Sequence, residues 1–139
     1  FVRFVQPVLD KHCVRCHGGA GEDGKPRLDG QIDLRGEVDP RVRHYSRSYV
    51  SLMSRGGLVP RYAARNQIQL TPPGGLQSAR GSRLIKLLRD GHEKVALAPA
   101  ELRTIAAWID CNAIFYGVNL PADQDRQLQG ARVAMPKIQ

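Results

Sequence analysis

Five consecutive residues, Cys13-Val14-Arg15-Cys16-His17, hold the densest chemistry in the chain. Two thiols three positions apart, followed at once by an imidazole, suit half of a zinc centre, a redox dithiol or the attachment point of a c-type haem. A structural zinc centre needs a second Cys or His pair, and Cys111, His44 and His92 are scattered singly. A thioredoxin-like dithiol belongs after a strand in a βαβ pattern, and no such pattern surrounds Cys13. Haem attachment needs only what is here. Residues three apart share one side of a helical turn, so Cys13 and Cys16 can each form a thioether with one vinyl group while His17 turns its imidazole to the iron. The spacing selects one covalent haem c anchored by Cys13, Cys16 and His17. His12, one residue earlier, is expected to be a surface bystander.

Haem iron in an electron carrier usually has a second protein ligand, and the candidates are His44, Met53, His92 and Met135. Met53 falls on a helical apolar face, where core packing explains it. Met135 belongs to the C-terminal tail, and His44 sits among arginines on a stretch expected to be exposed. His92 follows a glycine in Arg89-Asp90-Gly91-His92, where a turn can present it inward and Val95 and Leu97 can close a pocket. Spacing alone leaves His92 and Met53 both open.

The elements that must position these residues read as helices. Phe1, Phe4, Val5, Val8 and Leu9 lead into Cys13 and Cys16 at the spacing of one helical face, with Pro7 close to the true start. A long turn-rich loop is expected over 18–40, with a short extended piece at 32–34. A helix over 41–55 follows, ended by Gly56 and Gly57, and then a second long loop over 58–77. Ser78 is expected to cap a helix carrying Leu84, Ile85, Leu87 and Leu88 and closed by Gly91. The last strong helix opens with Pro99 and Glu101 and runs through Leu102, Ile105, Trp108 and Ile109 to about Asn112. Cys111 reads as a small buried apolar residue on it. The expected division is a haem c domain over 1–117 and a loosely packed tail over 118–139 without a helical period.

Bulk composition sets the limits. A chain of 139 residues suits one domain, and 14 glycines with 9 prolines imply many loops around few aromatics, so a porphyrin would fill the centre. The +8 charge is spread mostly over arginines without aromatic interleaving, which argues against a nucleic-acid surface. It suits a basic surface that attracts an acidic partner, and Arg80 and Arg83 are candidates to face the haem propionates. No run reaches membrane-span length. Phe1 opens inside an apolar-periodic segment, so a processed protein or a piece of a longer one is expected.

The segments "FVQPVLDKHCVRCHGG" and "TPPGGLQSARGSRLIKLLRDGHEKVALAPAELRTIAAWIDCNAIFYG" resemble the planctomycete-type cytochrome c domain, found at the C-terminal end of the hydrazine synthase alpha subunit and in related large proteins. The likeness covers most of residues 4–117. It rests on the approach to the haem motif, the Pro-Pro loop, the Ser-Arg-Leu to Gly-His segment and the Trp-Ile-Asp helix with Phe115 and Tyr116. Glu93 and Ile114 stand where the family usually has a second histidine and a proline. The resemblance implies an all-α, cytochrome c-like helical domain with long loops wrapped around one covalently bound haem, and it implies His92 as the distal ligand. Two imidazoles leave no open position on the iron. The expected function is then electron transfer to a redox partner or a neighbouring domain, not hydrazine synthesis, in a periplasmic or other extracytoplasmic compartment. The alternative is a five-coordinate haem, with His92 unbound, that binds a small ligand or performs redox catalysis.

Overall fold

Pro7 occupies the first turn of helix α1, Gln6–His12, where its missing N–H leaves nothing unsatisfied. A computed structural model describes residues 1–18, 32–54, 58–60, 75 and 78–134 of the chain. The glycine pair at 56–57, the Pro-Pro loop, Met135 and most of the two long loops lie outside the described residues. Val5, Val8 and Leu9 form the buried face of α1. The helix expected to continue to His17 breaks at Cys13 (φ −117°, ψ −37°), and a separate turn, α2, spans Val14–His17. The Cys-x-x-Cys-His motif, the expected attachment turn, therefore has its own turn, closed by bonds from the Cys16 and His17 N–H groups to the Cys13 carbonyl at 3.1 and 2.9 Å. Gly18 ends it, and a Cβ there would overlap the Val14 carbonyl oxygen and press on Val14 Cγ1 at 2.9 Å.

Helix α3, Arg47–Ser54, starts later than the apolar pattern implied. Asp39 is the reason. Its carboxylate accepts the backbone N–H of Arg41 at 2.8 Å and of Val42 at 3.3 Å and pairs with the Arg41 guanidinium at 2.9 Å. Such local bonds compete with helix formation, and residues 41–46 are turns and bends. The piece at 32–34 belongs to no regular element, and its Leu34 N–H donates to the His17 carbonyl at 2.7 Å.

Ser82, not Ser78, caps α4, Arg83–Arg89, with its Oγ accepting from the Ile85 N–H at 3.2 Å. Ser78 holds the turn before it, donating to the Gly75 carbonyl at 2.7 Å. Gly91 ends α4 as expected, at φ +88°, the left-handed region glycine enters without penalty. A single 3-10 turn, His92–Lys94, follows, with Glu93 (φ 47°) and Lys94 (φ 61°) also left-handed. Helix α5, Pro99–Asp110, buries Ile105, Trp108 and Ile109 along one stripe. Cys111 is its C-terminal cap and is exposed, which corrects the buried placement read from the pattern.

Beyond Gly117 the chain is not without regular structure. Helix α6 spans Pro121–Leu128. It buries no residue, so no apolar stripe announced it, and its visible signals were Pro121 and the first-turn Asp123. Gln127 accepts the Gly117 N–H and Gln124 donates to the Val118 carbonyl, each at 3.0 Å.

Among the described residues the molecule is all-α, with no strand and one isolated bridge, Val38 to Ser46. The core joins α1 to α5 through Val5, Leu9, Leu52, Leu84, Ile85, Ile105 and Ile109. Fully burying a side chain such as Ile105 stabilises the fold by about 2 kcal/mol. The few aromatics are concentrated: Phe1, Tyr45, Tyr49, Trp108, Phe115 and Tyr116 form one cluster, with Tyr49 and Phe115 centred 4.9 Å apart. That cluster packs α3 against the end of α5.

Candidate functional site

A cavity of about 260 Å³ opens between the attachment turn, α4 and the 3-10 turn. Leu9 of α1, Leu52 of α3 and Ile105 of α5 line it, together with Leu34. Leu84, Leu87 and Leu88 of α4, with Ile32, Leu58 and Val95, add to the apolar lining. Cys13, Cys16, His17 and His92 all face this one space. They come from segments about eighty residues apart in the chain.

The two imidazoles are 6.0 Å apart between ring centres, with planes inclined by 22°. Two thiols and two imidazoles at one apolar space suit a group that takes sulfur and nitrogen donors together. His17 is fixed from both directions, its N–H on the Cys13 carbonyl and its own carbonyl under the Leu34 N–H. His92 is delivered by the Gly91 turn, and its carbonyl accepts the Val95 N–H at 2.8 Å.

Competing uses of the cysteines fare worse. Burial, reinforced by Cys16, raises the Cys13 thiol to about 11, whereas a reactive dithiol needs a thiolate near neutral pH. Among the described residues no three His, Cys, Asp or Glu side chains converge as donors for a bare metal ion, as a zinc centre would require.

The other candidates stand away from this space. Met53 is half-buried against the core, and His44 is exposed, with its carbonyl accepting the Tyr116 hydroxyl. Arg80 and Arg83 are exposed, and the arginine found on the cavity wall is Arg15.

No family model, curated protein or solved structure matches the chain.

Sequence reasoning missed two of them. His12 is no surface bystander: it lines the cavity, and its Nε2 donates to Glu101 Oε2 at 2.9 Å. Glu101 also accepts from Lys11 Nζ at 2.7 Å and from the Ala98 N–H at 2.8 Å. Lys11, the Ala98 N–H and His12 together hold its carboxyl down to about 2. The only visible signal was Glu101 at the third position of a helix, a place where glutamate reaches back to the cap. A buried polar knot was also missed. Gln6 donates to the Leu34 carbonyl at 3.0 Å and accepts from Ser48 Oγ at 2.6 Å, and Ser48 meets Ser46 at 2.8 Å. It ties α1 to α3 behind the attachment turn.

Proposed function

We propose that the chain transfers electrons through one covalently attached c-type haem, with thioethers to Cys13 and Cys16 and with His17 and His92 as axial ligands. The observation that carries this reading is the meeting of His17 and His92 across an apolar cavity that Cys13 and Cys16 also line. The haem would supply one-electron redox chemistry. The chain's part would be to present His17 and His92 to it and to keep water away with the apolar walls, which would tune the potential. The resemblance to the planctomycete-type cytochrome c domain supports the same roles for these four residues. Among the described residues no helix is long and apolar enough to cross a membrane. A redox protein or a neighbouring domain of a larger chain, with an acidic face toward the net charge of +8, is the partner this reading calls for. Thioether attachment of the haem would call for the periplasm or another extracytoplasmic compartment as the place of work.

The optical spectrum of the purified protein tests it. Low-spin bands in both oxidation states, unmoved by carbon monoxide, are expected, and His92→Ala should convert them to a high-spin pattern. Cys13→Ala together with Cys16→Ala should leave the haem extractable by acidified solvent. A colourless protein would sink the reading, and ready carbon monoxide binding by the parent protein would move it to the five-coordinate alternative.

A further inference from the structure

Among the described residues that line the cavity, only Arg15, Leu87 and Glu93 are exposed, so its mouth lies at the attachment turn and the outer side of α4 and the 3-10 turn. Leu87, 39% exposed, is the apolar residue at that mouth. Residues 80–94 surround it in sequence with five cations, Arg80, Arg83, Lys86, Arg89 and Lys94, against two acids, Asp90 and Glu93, and all seven are exposed. Elsewhere Arg35, Arg41, Arg47 and Arg126 are paired with acids. Arg80, Lys86, Arg89 and Lys94 enter no ion pair among the described residues. The helix dipole favours cations in the last turn of α4 and disfavours Arg83 in the first. Helix stability therefore does not explain the basic patch as a whole.

We propose that the outer face of α4, with the 3-10 turn, is the docking surface for a redox protein with an acidic face, which seats over Leu87 at the mouth of the cavity. This rests on the haem reading above and adds where the partner binds. An interface of this kind has an apolar centre that excludes water and a charged rim that steers the encounter. Electron transfer slows steeply with distance, so a partner must meet the cofactor where its cover is thinnest. Leu87 and Glu93 mark that place, because each reaches both the cavity and solvent. The cations of the rim can pair with acids of the partner without breaking bonds inside the fold. Asp90 and Glu93 favour a protein over a membrane: a uniformly anionic lipid surface repels them, whereas a protein can set a cation against each.

Binding of the haem-loaded protein to an acidic flavodoxin, a one-electron carrier, tests the proposal. Affinity is read by surface plasmon resonance at low and physiological salt, and the second-order rate of haem reduction by stopped flow. Lys86→Glu together with Arg89→Glu should lower both by about tenfold or more at low salt, and the difference should shrink as salt screens the charges. Arg126→Glu together with Arg132→Glu makes the same change in net charge on α6 and the tail, where Arg132 lines a separate groove with Phe4 and Gln127. That pair should change both readings far less. If charge reversal within the short helix prevents folding, Arg80→Glu ahead of it with Lys94→Glu beyond it makes the same comparison. Equal losses in the two pairs, or a parent protein that does not bind the flavodoxin, would overturn the docking surface while low-spin bands left electron transfer standing. So would binding to phosphatidylglycerol vesicles that needs Lys86 and Arg89, beside flavodoxin binding that does not. A protein without haem bands would remove the electron-transfer reading and the redox partner with it.

Discussion

Glu101 is the residue on which the attachment helix and α5 meet. Lys11 and His12 reach it from α1, and the Ala98 N–H reaches it from the start of its own helix. Its carboxyl is lowered from an ordinary value near 4.5 to about 2. A depressed acid stabilises the folded state above its unfolded pKa, and that contribution is lost as pH falls through the folded one. The bonds of Glu101 should therefore support the fold fully above about pH 4.5 and fail progressively toward pH 2. Denaturant titrations of Glu101→Gln should show less change in stability across that interval than the parent. An equal change in both would mean that other acids govern it. Nothing at position 101 in the sequence names Lys11 or His12 as partners, because the bonds span 90 and 89 residues.

At the scale of elements, short polar features decided where helices begin and end. The apolar pattern found α1, α4 and α5, but it carried the third helix too far back, since it could not see Asp39 gathering the N–H groups of Arg41 and Val42. It also joined α1 to α2, because the turn at Cys13 keeps the apolar spacing on both sides. Gly91 was legible, as a glycine at the end of a helical period usually adopts a left-handed conformation. Open space surrounds its missing Cβ, so Gly91→Ala meets no clash and only a conformational penalty. That penalty at φ +88° is about 1–2 kcal/mol, and because the turn delivers His92, the variant should lower the thermal midpoint and, under the proposed haem reading, disturb the low-spin bands together. A lower midpoint with unchanged bands would mean that His92 keeps its place without the glycine. Gly18→Ala differs in kind, since there the Val14 carbonyl itself is in the way.

Across the whole molecule, two interiors lie side by side. One is the aromatic cluster that packs Tyr49 and Phe115 near the end of α5, and the other is the aliphatic cavity edged by His17 and His92. Between α1 and α3 runs the Gln6–Ser48–Ser46 chain, with Gln6 only 5% exposed and both serines fully buried. Gln6→Leu would leave the Leu34 carbonyl without the Gln6 donor and remove the acceptor used by Ser48. Losing buried partners of this kind costs about 1–3 kcal/mol, which chemical denaturation should read directly. A cost near zero would mean that these groups find other partners. The sequence by itself determined the attachment turn, because Cys13, Cys16 and His17 are neighbours whose spacing needs only one helical turn, and it determined the stripes of α4 and α5. Only the tertiary structure brought the His92 ring to 6.0 Å from that of His17, turned His12 to Glu101, and left Cys111 exposed. Those outcomes depend on how separate helices cross, and side-chain spacing within one segment carries no record of the partner it will meet.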